Sequence, residues 1–177
     1  EVFQETLGEQ TRGMRLIVLD TTDPTAIQKT LHQLEPEQTL VIVASKSGGT
    51  VETLSLFKYV YNWISAARQG VSTGQQFIAI TDPGSRLVEI GLEYSFREIF
   101  ENDPNIGGRY SALSFFGLIP AALMGVDLGQ LLSSARAAAR VCREEESLED
   151  NPGALLGVIL GELARKKRNK VTFFSSA

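Results

Sequence analysis

The 177 residues contain one cysteine and one histidine. Cys142 therefore cannot close an intramolecular disulfide, which fits a reducing compartment. A single Cys and a single His leave no cluster of the kind that holds zinc, so no metal is expected. Long apolar runs are also missing. None approaches the roughly 18 residues of a membrane span, and no basic stretch followed by an apolar one opens the chain. The expectation is a cytoplasmic protein with no membrane partner. There is no basic excess either: Lys and Arg number 17 against 21 Asp and Glu, for a formal charge of −4 and a pI near 5.1. That argues against a nucleic-acid partner and requires any anion to be held locally. With 43% apolar and 21% charged residues, the length suits one domain with part of a second. Residue 1 is Glu rather than Met, so the chain is expected to be a piece of a longer protein.

The stretch with most content is Leu40–Phe57, LVIVASKSGGTVETLSLF. An apolar run, Leu40 to Ala44, passes through Ser45-Lys46-Ser47-Gly48-Gly49-Thr50 into a segment with Val51, Leu54 and Phe57 at helical spacing. A strand, a polar glycine-containing loop and a helix in that order present backbone N–H groups at the positive end of a helix. Lys46 adds a full charge, and three hydroxyls add donors. The physical reading is a phosphate cradle.

Around it, strands are expected over Arg15–Asp20, Leu40–Ala44, Gln76–Thr81 and Arg97–Phe100, each an apolar run bounded by turn residues. A helix should enter at Asp23-Pro24, carry Ile27, Leu31 and Leu34, and stop before Pro36. Others are expected from Thr50 to about Arg68, ending at Gly70, and after Asp82-Pro83-Gly84-Ser85. Ala112–Met124 should follow a cap at Ser111, bend at Pro120 and lie centrally, being apolar almost all round. Leu128–Arg143 and Ala154–Lys167 complete the helices, and Val171–Phe174 reads as a strand opening a further unit. Strand–helix alternation with continuous apolar strands predicts an α/β fold: a parallel sheet between two helical layers. In such sheets ligands bind beyond the carboxyl ends of the strands, so Ser45–Thr50 and Gly107–Arg109 are candidates for one crevice.

Ser45-Lys46-Ser47-Gly48-Gly49-Thr50-Val51-Glu52-Thr53 resembles the phosphosugar loop of sugar isomerase (SIS) domains, Ser-x-Ser-Gly-x-Thr-x-Glu/Asp-Thr. Gly107-Gly108-Arg109-Tyr110-Ser111, with Leu113, Ser114, Gly117, Leu118 and Pro120, resembles the Gly-Gly-Arg-Phe/Tyr-Ser motif of phosphoglucose isomerases. Asn151-Pro152-Gly153 and the following helix are similar to the same family, so the resemblance covers nearly the whole chain. It also resembles bacterial isomerase domains fused to a transaldolase.

The resemblance implies a three-layer α-β-α sandwich of flavodoxin-like SIS type, with residues 1–150 as the phosphosugar-binding domain and 151–177 leading into a second unit. It implies interconversion of glucose 6-phosphate and fructose 6-phosphate, in glycolysis and gluconeogenesis, through an enediolate and without cofactor. By the same resemblance Ser45, Lys46, Ser47 and Thr50 hold the substrate phosphate, and the backbone of Gly49, Gly107 and Gly108 lies against the ligand. Arg109 stabilises the enediolate. The family's glutamate, histidine and C-terminal lysine lie in motifs this chain lacks, as does the Gly-Gly-Ser turn that normally comes first. The chain alone is therefore expected to be inactive, and its parent to be a homodimeric enzyme.

Two other classes use similar loops. A non-catalytic phosphosugar-binding module of a regulator would not need Arg109 after Gly107-Gly108. An amidotransferase isomerase domain usually carries Gln at the position of Lys46 and Glu at that of Gly49. Other tempting residues have plainer explanations. His32 reads as a solvated helix residue, Glu52 as a first-turn carboxylate on the helix dipole, and Arg165–Arg168 as cations at a helix C-terminus. Cys142 reads as a packing residue, and Tyr59 and Trp63, four apart on one helix, as core or interface residues.

Overall fold

The computed structural model of the chain describes residues 3, 13–67, 72–143 and 147–172. Asp23 caps the first helix as its sequence predicts. Its carboxylate accepts the N–H groups of Thr25 and Ala26, and Pro24, which has no N–H to satisfy, sits at the first position. This helix, α1, is Pro24–Leu31. It is followed by β1 (Val41–Ala44), α2 (Val51–Ala67), β2 (Phe77–Thr81), α3 (Arg86–Glu93), β3 (Glu98–Glu101), α4 (Phe115–Met124), α5 (Leu128–Val141) and α6 (Pro152–Arg165).

The chain divides into two compact units, Glu1–Val126 and Asp127–Ala177. In the first, β1, β2 and β3 form a parallel sheet in that order, with Val43 opposite Ala79 and Ile80 opposite Phe100. Every residue of the central strand is buried. Its side chains alternate between faces. Phe77 and Ala79 join Ile27, Leu31, Phe57, Val60, Ile64, Leu87 and Ile90 in one apolar cluster from α1, α2 and α3. Ile78 and Ile80 point to the opposite face, and α4 also packs on β2. The sheet thus lies between two helical layers, the α/β sandwich expected from the apolar strands.

Phe57 is the centre of the larger layer. Its ring makes edge contacts with Tyr61, Phe77, Tyr94 and Phe96 at centroid distances of 5.2–5.7 Å, and Phe77 stacks on Phe96 at 5.3 Å. Each such pair adds about 0.5–1.5 kcal/mol to the area it buries. Trp63 is half-buried against this cluster, whereas Tyr59 is exposed.

Four expectations are corrected. Arg15–Asp20 forms no strand: Leu19 lies on the core, but the segment joins no ladder, and the backbone N–H groups of Gly13 and Met14 bond to the α4 carbonyls of Met124 and Leu123. An apolar run of strand length does not by itself distinguish a paired strand from an extended segment laid on a core. The cap of α4 is Ser114, which accepts the Phe116 N–H, while Ser111 lies in a 3₁₀ helix, Gly108–Leu113. Within α4 only Ala121 and Met124 are buried, so this helix, apolar almost all round, is not enclosed in the core. Cys142 is exposed, at the end of α5.

In the second unit Asp127 caps α5, and Asn151 caps α6 while also donating to the Arg143 carbonyl at 2.9 Å. Residue 150, the expected end of the first domain, falls between these two helices. Val171 has no regular structure. Phe173 and Phe174, with Gly70 and Glu144–Glu146, lie outside the described residues.

Candidate functional site

The carboxyl ends of the three parallel strands lie on one side of the sheet, and both glycine-containing loops leave from there. After β1, the Ser45 N–H continues the ladder to the Ile80 carbonyl at 3.0 Å. The Lys46 carbonyl is then gripped by the end of β2: it accepts from the Asp82 N–H at 3.2 Å and from Thr81 Oγ1 at 3.3 Å. The chain reverses through Gly48, which is buried with φ +66°, a conformation that costs glycine little. Gly48 N–H donates to Ser45 Oγ at 3.1 Å, and the Ser45 and Thr50 hydroxyls stand 3.4 Å apart. Ser45 and Lys46 are half-buried; Ser47, Gly49 and Thr50 are exposed. Helix α2 begins at Val51, so the unpaired N–H groups of its first turn follow directly on the loop. Glu52 is in that turn, and His32 is an exposed residue ending α1.

The second loop leaves β3 through Asn102. Its backbone N–H bonds the Thr81 carbonyl at 2.8 Å, and its Oδ1 accepts the Phe115 N–H, at the start of α4, at 3.0 Å. Asn102 is buried, and its Nδ2 has no partner among the described residues. Ile106, Gly107 and Gly108 follow, then the 3₁₀ helix, in which Ser111 Oγ donates to the Gly108 carbonyl at 2.6 Å. Arg109 is exposed, and its guanidinium makes no hydrogen bond or ion pair among the described residues.

The two loops meet at Lys46. Its ammonium lies 2.8 Å from one Asp82 carboxylate oxygen and 3.0 Å from the other, and donates to the Ile106 carbonyl at 2.8 Å. A side chain added to Gly108 would begin 3.9 Å from Lys46 Cδ. Lys46 thereby joins the loop that carries Ser45, Ser47, Gly49 and Thr50 to Ile106 and Gly108, in the loop that carries Gly107 and Arg109. Chemically this is a surface of hydroxyls and helix-start N–H groups with the anchored Lys46 cation and, on the second loop, Arg109, which makes no hydrogen bond or ion pair among the described residues; such a surface suits a polar anion. Asp82 and Asn102 escape a reading by motif. Asp82 reads as a turn residue, and nothing near Asn102 in sequence marks it as a bridge between strands. Among the described residues no three His, Cys, Asp or Glu side chains gather as metal ligands, and no helix is long and apolar enough to cross a membrane. Two cavities, of about 200 and 240 Å³, flank α2 away from these loops.

Comparison with known proteins converges on one group. The family model for phosphoglucose isomerase matches residues 1–165. The glucose-6-phosphate isomerase of Cyanothece sp. (strain PCC 7425) is 36% identical over 160 residues, covering 89% of this chain and 30% of that protein. That of Carboxydothermus hydrogenoformans is 35% identical over 164 residues, covering 92% and 35%. The chain spans about a third of the length of these curated relatives. Among solved structures, a hypothetical protein from Thermus thermophilus superposes with a TM-score of 0.77 at 33% identity, over 84% of this chain and 35% of that one. A glucose-6-phosphate isomerase from Chlamydia trachomatis gives 0.71 at 27% identity, over 84% and 28%.

Proposed function

This chain belongs to the phosphoglucose isomerase family, and from that premise we propose that it is the phosphate-holding part of an enzyme interconverting glucose 6-phosphate and fructose 6-phosphate. The observation that carries the reading is the Lys46 ammonium bonded to the Ile106 carbonyl at 2.8 Å, because it joins the hydroxyl-rich loop to the Gly-Gly-Arg loop.

The phosphate is taken by Ser45, Ser47 and Thr50 and by the first N–H groups of α2, where the helix dipole favours an anion. Lys46 contributes its charge from behind the loop. Exposed Gly49, with no atom near the position of a Cβ, leaves room for the ligand to approach the backbone. With the phosphate fixed at one end, the sugar extends towards Gly107, Gly108 and Arg109. Moving a proton between C1 and C2 builds negative charge on an enediolate oxygen, and Arg109, whose guanidinium has no partner among the described residues, is the group proposed to stabilise it. The groups that move the proton come from outside these residues, so the activity belongs to the longer protein, a homodimer on this reading.

The test is a melting experiment on the 177-residue chain with 6-phosphogluconate and, separately, gluconate. Ligand that binds only the folded state raises the transition. A rise with the phosphorylated compound alone is expected, and Ser47→Ala with Thr50→Val should remove most of it. Equal responses to the two compounds, or a rise unaffected by the substitutions, would refute the cradle.

A further inference from the structure

Lys46 is held at both ends by one short segment. Its carbonyl accepts from Thr81 Oγ1 and the Asp82 N–H, and its ammonium returns to the Asp82 carboxylate at 2.8 Å. Thr81 is fully buried and its hydroxyl is 2.6 Å from Ser85 Oγ, which fixes this segment against the start of α3. The ammonium has three N–H groups. Asp82 and the Ile106 carbonyl take at least two, leaving at most one for a ligand. Both side chains of the pair are partly shielded, 31% and 19% exposed, so their attraction is less screened than at an open surface. A lysine serving only an anion would have no use for a carboxylate in contact, because that carboxylate repels the anion.

We infer that Asp82 is a positioning residue that sets the preference for a sugar phosphate over bare phosphate. It holds the Lys46 ammonium on the Ile106 carbonyl, and so fixes the spacing between the loop of residues 45–50 and Gly107–Gly108–Arg109. The inference rests on the phosphosugar reading above. A bare phosphate touches only the first loop and meets a lysine whose charge is partly offset by Asp82. A sugar phosphate spans both loops and gains from their fixed separation, which avoids an ordering cost on binding. Removing the carboxylate frees Lys46 for the anion and lets the second loop drift. Inorganic phosphate then binds more tightly and the sugar phosphate more weakly.

Calorimetric titration of the 177-residue chain with inorganic phosphate and with fructose 6-phosphate tests this. Asp82→Asn should reduce the preference for the sugar phosphate roughly fivefold or more, and Asp82→Glu, which keeps the carboxylate, should restore part of it. In a Lys46→Met background Asp82→Asn should have no further effect, since Asp82 acts through Lys46. A preference changed less than twofold by Asp82→Asn, or a full additional loss in the Lys46→Met background, overturns the inference. A second readout needs no ligand. The amide resonances of Ile106–Arg109 should shift alike in Asp82→Asn and Lys46→Met, and resonances unmoved in both would overturn the strut. If the unaltered chain binds neither ligand while those resonances do shift, the phosphosugar reading fails and the Lys46–Asp82 strut stands.

Discussion

A Cβ placed on Gly48 would stand 2.4 Å from the backbone nitrogen of Leu87. The loop after β1 is thus seated directly on the first turn of α3, whose Leu87 is fully buried. Two separate effects oppose any side chain at Gly48: φ is +66°, and the clash is with backbone, which cannot swing away. Gly48→Ala should therefore destabilise the chain by roughly 2–4 kcal/mol, combining left-handed strain with overpacking. Neighbouring Gly49 has nothing within 4 Å of a Cβ, and Gly49→Ala should stay within about 0.5 kcal/mol. Urea unfolding of the two variants checks the contrast. Equal midpoints would mean the loop does not rest on α3.

Asn102 joins three elements. It accepts the first N–H of α4 on its side chain and reaches the last residue of β2 through its backbone. Asn102→Ala leaves the Phe115 N–H without that acceptor, at a cost of about 1–3 kcal/mol. Hydrogen exchange at the Phe115 amide should accelerate beyond what the global loss of stability explains. An exchange rate that follows only global stability would remove the bridging role.

How much of this is legible in the sequence differs by element. β1, β2 and β3 start and end within a residue or so of their apolar runs, because strands buried in a parallel sheet carry continuous apolar sequence. Asp23-Pro24 declares its helix, because cap and first-position chemistry is local; Asn151-Pro152 carries the same signal, yet the helix expected from Ala154 starts two residues earlier, at Pro152. Arg15–Asp20 carries the same apolar signal without a partner strand, and partners are not encoded locally. Ser111 and Ser114 are equivalent as letters; the 3₁₀ turn between them decides which one caps α4. The two loops are separately recognisable as motifs. What joins them is Lys46 with Asp82 and Ile106, contacts across 36 and 60 positions that no spacing rule reports.

Phe57 carries the larger helical layer. It is 3% exposed and touches four other rings. Phe57→Ala should cost about 3–5 kcal/mol. Phe57→Leu keeps much of the volume but loses the edge contacts, and should cost distinctly less. Thermal and urea unfolding read both, and a Phe57→Ala loss under about 1 kcal/mol would place the core elsewhere.

Turnover tests the proposal that the chemistry needs groups beyond these residues. The proposed proton-moving groups are not among these 177 residues. The purified chain should bind fructose 6-phosphate without isomerising it. A coupled assay for glucose 6-phosphate gives a direct answer, and turnover that copurifies with the chain would show that the chemistry needs nothing further.

Arg109 offers the sharpest separation of chemistry from stability. Its side chain is exposed and makes no hydrogen bond or ion pair among the described residues, so the fold draws little on it. Arg109→Met should leave the melting temperature of the 177-residue chain nearly unchanged, within about 0.5 kcal/mol in stability. On the proposed function, the same change in an active isomerase containing these residues would remove a fixed cation from a developing oxyanion. Removing one such group typically lowers kcat by about 10²–10³. The proposed function puts phosphate recognition on the other loop, so KM should move much less than kcat. Arg109→Lys keeps the charge but not the forked donor, and should recover only part of the rate. A variant that loses affinity and rate in equal measure would place Arg109 on the ground-state sugar rather than on the enediolate. A variant with unchanged turnover would remove it from the site.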